Sequence, residues 1–323
     1  MEGPSAALRA NDYNAPVTAV AILNPRSGRG RAATTWALVQ AHLQEQFEVR
    51  QTQAPGDATA LARDALKRGA TTVVAVGGDG TVNEVVNGFF DGERAVAPEA
   101  HLGIVSCGTG ADLPRTLRLP ATDTAVAAVL RDSFVQSVDV MKVRYTTPDG
   151  TPALRYAINI VSFGMGGTVA TRAKESSRAL GGRAAFLAAT LRTALTFSGR
   201  SVALTLDGAP AIEAVITNVA VGNGQFHGGG MWACPLARLD DGLLDVTLIQ
   251  YLPLWNLVRS LPALYAGRVL EHPKVQSHRV TRLAADAREP CAIEVDGEAL
   301  GRLPMEISVV PHAIRLLVPR EAP

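Results

Sequence analysis

Cysteine is scarce in this chain of 323 residues: Cys107, Cys234 and Cys291 are far apart and odd in number. Neither a disulfide framework nor a zinc cluster is expected from such a set, and buried free thiols in a reducing cytoplasm are the default. Long hydrophobic runs are also lacking. Hydrophobic residues make up 47% of the chain, yet no apolar stretch reaches membrane-spanning length. Met1 to Ala15 has neither the basic start nor the apolar centre of a signal peptide and reads as a loose tail. Nor does charge of one sign dominate, since 31 Lys and Arg stand against 30 Asp and Glu. Without a basic stripe, or aromatic and basic residues interleaved, a nucleic-acid partner is not expected. A chain of this size can bury a large core and is most easily read as two domains.

From Pro16 onward, apolar β-branched runs alternate with amphipathic helical stretches: Val17 to Leu23, Ala32 to Phe47, Glu48 to Thr52, Asp57 to Arg68, Thr72 to Val76. This pattern predicts a parallel sheet with both faces covered, in a Rossmann-like α/β domain over residues 16–140. Ligands of such sheets sit beyond the carboxyl ends of the strands. Three loops fall there: Asn24 to Arg31, Gly77 to Gly80, and Ser106 to Asp112 after the strand Leu102 to Val105. After Asp139 the pattern changes to alternating runs joined by Asp-Gly turns, as at Asp149-Gly150 and Asp207-Gly208. That texture predicts a mainly antiparallel β-sandwich over 141–305, with 306–318 as a closing strand that could return to the first domain. Two helical inserts, Arg183 to Phe197 and Leu254 to Tyr265, are expected to pack on this sheet, with a lipid-facing role as the lesser reading.

The stretch Thr72 to Asn87 carries the most chemistry. A strand runs into Gly77, Gly78, Asp79 and Gly80 and then into a helix, an arrangement whose bare N–H groups can close on a phosphate. The loop is not a P-loop, because Thr81 and Val82 stand where a Lys and a hydroxyl residue would follow, and Asn83 replaces the third glycine of the dinucleotide fingerprint. A carboxylate at Asp79 would repel a triphosphate unless a divalent cation lay between them, so the loop asks for Mg²⁺ and a nucleotide together. Read alone, a tight turn with Asp79 capping the helix is the lesser reading. Arg26, Arg29 and Arg31 could meet phosphates or simply face solvent. His227 stands alone without a second metal ligand, and no Gly-x-Ser-x-Gly elbow points to a hydrolase. Asp-Gly occurs six times, so Asp241-Gly242 and Asp296-Gly297, taken singly, read as turns.

Taken together, the motifs resemble the diacylglycerol kinase superfamily, which includes bacterial lipid kinases and sphingosine kinases. Gly77 to Thr81 with Asn83-Glu84-Val85 is similar to its catalytic-domain signature, Asn24-Pro25 with Ser27-Gly28 to its first loop, and Gly108-Thr109-Gly110 to its third. Gly222-Asn223-Gly224, Asp240 to Asp245 and Asp296-Gly297-Glu298 follow in the family's order. The resemblance implies a cleft between the two domains in which Asn24, Thr52, Gly77, Gly78, Asp79, Gly80, Thr81, Val82, Asn83, Glu84, Gly108 and Thr109 would hold ATP. It implies Asp79 near the phosphates and Mg²⁺, and Glu298 as general base with Asp296 beside it. Asp241 and the carbonyls of Arg238 and Leu243 would hold a second, structural Mg²⁺. The expected acceptor is diacylglycerol or a related lipid alcohol, met at the membrane surface by a cytoplasmic, peripheral enzyme that could pair into a homodimer through a sheet edge. An NAD kinase shares the Gly-Gly-Asp-Gly loop, and a nucleotide-binding regulator without catalysis is the other alternative. Ala111 stands where the family usually has Asn, which removes any hydrogen bond that side chain would make. Because Asp79 and Glu298 come from different domains, cleft closure is a further expectation.

Overall fold

The computed structural model describes residues 19–108, 110–132, 134–180, 190, 192–193 and 195–320, with 174–180 described by backbone alone. The expected N-terminal tail, Thr109 and much of the expected helix Arg183 to Phe197 lie outside the described residues.

The first region runs β1 (Ala19–Leu23), α1 (Ala32–Gln40), β2 (Glu48–Gln51), α2 (Asp57–Lys67), β3 (Thr72–Gly77) and α3 (Asp79–Gly88). A small ribbon of β4 (Phe90–Asp91) and β5 (Arg94–Ala95) follows, then β6 (His101–Ser106), α4 (Asp112–Thr116) and α5 (Asp123–Asp132). Strands β2, β1, β3 and β6 lie side by side and parallel. Alternate residues face opposite ways: Val20, Ile22, Val73 and Ala75 pack with α2 and α3, while Ala21, Leu23, Val74 and Val76 pack with α1 and α5. Covering both faces explains why β1, β3 and β6 read as apolar runs, whereas β2, at the end of the sheet, is mostly exposed.

The second region begins with β7 (Phe134–Thr146), β8 (Pro152–Ala157), β9 (Ile160–Gly164), α6 (Met165–Leu180), β10 (Arg200–Leu206) and β11 (Ile212–Gly222). It continues with β12 (Phe226–His227), β13 (Met231–Trp232), β14 (Leu244–Gln250), α7 (Leu254–Tyr265), β15 (Val275–Val280), β16 (Arg282–Ala287), β17 (Ala292–Val295) and β18 (Glu298–Val318). Pairing is antiparallel throughout this region. A bulge at Ile216 to Asn218 lets β11 pair with β10 before it and with β9 after it, around a core that includes Phe163, Leu204, Val219, Leu248 and Ile307. The two regions share one sheet. Strand β18 pairs antiparallel with β16 at Met305 to Ser308 and parallel with β6 at Arg315 and Leu316.

Two helices differ from expectation. The α6 helix is absent from the sequence reading because Gly166 and Gly167 in its first turn lower helix propensity. A Cβ at Gly167 would fall 2.1 Å from the carbonyl oxygen of Ala292, so the glycine permits a close approach of helix to strand. The α7 helix does not bury its apolar stripe on the sheet: none of its residues is fully buried. No helix among the described residues is long and apolar enough to cross a membrane.

Because a backbone oxygen cannot step aside like a flexible side chain, Gly167→Ala is expected to destabilise the protein by roughly 1–3 kcal/mol, read as a fall in urea midpoint at unchanged slope.

Candidate active site

The three loops at the carboxyl ends of β1, β3 and β6 meet backbone to backbone. A Cβ added at Gly28, whose φ is +60°, would fall 2.5 Å from the Cys107 carbonyl, and one at Gly108 would fall 2.8 Å from the Gly78 Cα. Such contacts leave room only for glycine and put main-chain groups on the wall. The resulting cleft has a volume of about 450 Å³ and is lined by the first loop (Arg26 to Arg29), Gly78 to Gly80, Gly108, Gly110 and the segment Asp296 to Glu298. First-region glycines thus face a second-region turn.

Asp79 opens α3 at this wall. One carboxylate oxygen accepts the N–H of Ala111 at 3.0 Å, whereas Oδ1 is buried with no hydrogen-bond partner. Burial, with the nearby carboxylates of Asp112 and Asp296, pushes its pKa up to about 6. An acid so placed is poorly solvated and surrounded by like charge, which a bound cation would relieve.

Across the cleft, Asp296 and Gly297 both have positive φ, 46° and 90°, between the paired residues Val295 and Glu298. This is the two-residue turn that Asp-Gly favours. The Asp296 carboxylate is turned inward. It accepts the N–H groups of Ile158, Asn159 and Ile160 at 2.9–3.0 Å and the Asn83 amide at 2.8 Å. Burial raises its pKa while these donors hold it down. Glu298 instead lies on the cleft wall: its Oε1 is 3.3 Å from where a Cβ on Gly80 would stand, and Arg155 Nη2 is 3.6 Å from its other oxygen.

Several residues expected to hold ATP sit behind the wall. The Asn24 amide donates to Thr81 Oγ1 at 3.1 Å and its oxygen accepts from Arg26 N–H, bracing the first loop against α3. Thr81 and Val82 are buried, Asn83 joins α3 to Asp296, and Thr52 is buried with its N–H on the Leu23 carbonyl. Glu84 accepts the N–H groups of Gly56 and Ala58 at the start of α2. Gly77 bonds through its carbonyl to Cys107 N–H and has Thr81 packed against its Cα.

Other residues the sequence reading passed over lie next to the cleft. His227, though solitary in sequence, places Nε2 3.1 Å from Glu294, a buried acid that also accepts from Ser162 Oγ and from the N–H of Gly297. Burial alone would lower the His227 pKa, but Glu294, with Asp112 and Asp296 adding, brings it up to about 9. Asp112 bonds Arg115 and the N–H of Gly229, tying α4 to the glycine-rich loop before β13. Nothing in the sequence singled out Glu294 or linked it to His227.

The second expected cation position is built differently. Asp241 accepts the N–H of Leu243 and pairs with Arg279, while Arg238 lies 3.7 Å from Asp240. Neighbouring Asp245 is buried, Arg279 Nε lies 3.6 Å from its Oδ2, and burial raises its pKa while Arg279 holds it down. No group of three or more His, Cys, Asp or Glu suited to a metal occurs among the described residues, so a cation here would depend on backbone carbonyls and water. Arg279 thus supplies positive charge to both Asp241 and Asp245, and an ion here would have to replace it. Cys234 and Cys291 are buried and Cys107 is half-buried, all three free.

Comparison with known proteins agrees with this anatomy. Residues 18–143 match the model of the diacylglycerol kinase catalytic domain, and 159–318 match the YegS C-terminal NAD kinase beta sandwich-like domain. The chain superposes with a crystal structure of a diacylglycerol kinase from Bacillus anthracis str. Sterne, TM-score 0.67 at 20% identity, covering 94% of this chain and 97% of that one. Yeast NADH kinase complexed with NADH gives TM-score 0.51 at 12% identity, covering 96% and 85%. The fold is therefore the two-domain one found in both. The "Probable lipid kinase YegS-like" protein of Xanthomonas oryzae pv. oryzae is 31% identical over 86% of this chain and 88% of its own length. The diacylglycerol kinase of Mycobacterium tuberculosis is 29% identical over 93% and 94%. The chain belongs to the diacylglycerol kinase family, alongside its YegS-like lipid kinases.

Ala111 has φ 54° and ψ 40°, a left-handed conformation that Asn tolerates and Ala resists. Ala111→Asn is expected to raise stability by roughly 0.5–1 kcal/mol, measured by urea unfolding, since the N–H to Asp79 is retained. The His227 pKa is raised on folding, so its contribution is complete below pH 6.5 and disappears as pH rises through about 9. His227→Gln should accordingly flatten the decline of the urea midpoint between pH 7 and pH 10, while lowering the midpoint at pH 6 by roughly 2–4 kcal/mol equivalent.

Proposed function

We propose that the protein is an ATP- and Mg²⁺-dependent lipid kinase that phosphorylates the hydroxyl of diacylglycerol or a related lipid alcohol, working in the cytoplasm at the membrane periphery. One observation carries the reading: Glu298 of the second region faces Gly80, beside Asp79, across a cleft whose walls are main chain. Family membership supports the same activity, and the names of the relatives point to lipid acceptors.

The glycines at 78, 80 and 108 would take the phosphates with the α3 N-terminus, and Arg26, Ser27 and Arg29 would meet them from the opposite rim. Asn24 and Thr52 would help to hold ATP by shaping loops rather than by contact, and the family resemblance adds Thr109 to the set. The bare Oδ1 of Asp79 suits Mg²⁺, which when bound would neutralise charge on the phosphates. Asp241, with the carbonyls of Arg238 and Leu243 and with Asp245 beside it, would hold a second cation only if Arg279 gave way.

Glu298 accepts the proton of the lipid hydroxyl as its oxygen bonds to the γ-phosphorus and the bridging bond to the β-phosphate breaks, leaving ADP. Arg155 fixes one side of that carboxylate. The Glu294 contact to Gly297 N–H fixes the turn just before it. Asp296 positions Glu298 rather than sharing its proton.

The test is transfer of labelled γ-phosphate from ATP to a lipid extract in detergent micelles with Mg²⁺. A labelled lipid is expected, and Glu298→Gln should lower the rate about 10²-fold or more while ATP still binds. Full rate in that variant would remove Glu298 from the chemistry. Label on a dinucleotide instead would favour an NAD kinase activity, and ATP binding with no product a regulator.

A further inference from the structure

The α7 helix presents its apolar side outward. At helical spacing Leu254, Val258, Leu261 and Tyr265 form one stripe, with Trp255 at its edge. All five are exposed: Trp255 at 68%, Tyr265 at 53%, Val258 at 46%, and Leu254 and Leu261 at 37% and 38%. The inward side carries Leu257, Ser260, Ala263 and Leu264, which are only half-buried. A helix placed this way leaves a contiguous apolar patch that water does not favour.

Its fringe is basic. Arg259, Arg268 and Lys274 are exposed, and the one acid between Leu254 and Lys274 is Glu271, 3.9 Å from Arg268. Aromatic side chains at the margin of an aliphatic stripe, with cations around it, match the layering of a bilayer surface: acyl chains inside, amphipathic rings at the headgroups, anionic groups outside. A second copy of the chain fits less well, since stacking this face on itself would set cation against cation. The patch also connects to the cleft. Gly267, just past the helix, lies against the Trp232 ring; Trp232 meets Phe226 edge to face at 4.5 Å; Arg115 lies over Phe226 and pairs with Asp112.

We propose that α7 is the surface by which the protein docks on an anionic phospholipid bilayer, laying Leu254, Val258, Leu261 and Tyr265 among the lipids and ringing them with Arg259, Arg268 and Lys274. This rests on the lipid kinase reading for its purpose, although not for its geometry. Docking through α7 holds the cleft near the membrane, so the acceptor need not leave it to be phosphorylated.

The test uses the full chain and vesicles of phosphatidylcholine with phosphatidylglycerol. Co-flotation with these vesicles is expected, weakening as salt rises, together with quenching of Trp255 emission by brominated lipid. The double variant Val258→Glu with Leu261→Glu, both at exposed positions, should lose about tenfold or more of vesicle binding at unchanged thermal midpoint. Transfer to an acceptor embedded in vesicles should fall with it, while transfer to a short-chain acceptor dissolved as monomer stays unchanged. Vesicle binding that survives the double substitution overturns the proposal, as does a wild-type dimer in sedimentation that the variant dissociates. Quenching without phosphorylation of any lipid would uphold the docking surface and defeat the kinase reading instead.

Discussion

The Asp296 carboxylate is the point on which the rest of the cleft depends. It is buried, and its oxygens take three consecutive main-chain N–H groups, from Ile158 to Ile160, together with the Asn83 amide of α3. Hydrogen bonds to a charged acceptor are among the stronger ones a protein makes, and a buried carboxylate stripped of them would be left with its full desolvation cost. The same group therefore ties together the turn after β8, the helix that begins at Asp79, and the hairpin that ends in Glu298. Its position two residues before Glu298 means that the tie sets where that carboxylate lies relative to Gly80.

Around this tie the protein collects more negative charge than a stable core would choose. Asp79, Asp112, Glu294, Asp296 and Glu298 all converge here, and each is handled differently. Glu294 has a cationic partner in His227, Asp112 has Arg115 and a main-chain N–H, and Asp296 has its four donors. Asp79 has main-chain N–H groups at the end of the third loop on one side and a buried Oδ1 with no hydrogen bond. The compensation thins out toward the cleft. Strain of this kind concentrates where a protein meets its ligand, because a fully satisfied carboxylate would have nothing left to offer one.

The parallel sheet was legible because its central strands β1 and β3 are buried on both faces, so their unbroken apolar runs mark them. The cleft's glycines and the Asp296-Gly297 turn were legible for a related reason: main-chain geometry constrains residue type locally. What lay hidden depends on distant pairing. Asn83 and Glu84 look like loop ligands until Asp296 and the start of α2 arrive as their partners, 213 and 26–28 residues away. His227 looks solitary until β17 brings Glu294 beside it. The apolar stripe of α7 could be read as a stripe, but periodicity does not say which side faces the sheet. The helix α6 was hidden for the opposite reason: its glycines serve packing at the expense of propensity.

Strand β18 changes how closure of the cleft can be pictured. Two domains joined by a flexible linker would swing freely, but here a single strand is hydrogen-bonded to strands of both regions, to β16 at one part and β6 at another, with β7 alongside it over most of its length. Its pairing with β7 is irregular between Arg302 and Met305 and again between Val310 and Ile314, the latter a bend where His312 adopts φ 50° and gives its N–H to the buried Asp139. Asp139 also accepts from Gly242 and lends its carbonyl to Asn223, so that bend is itself pinned. Rigid rotation of one region on the other at this bend would strain this set of bonds, and the first loop is held by contacts of its own, Asn24 to Thr81 and Gly28 against Cys107. The strand shared by the two regions therefore constrains how Glu298 can move relative to α3.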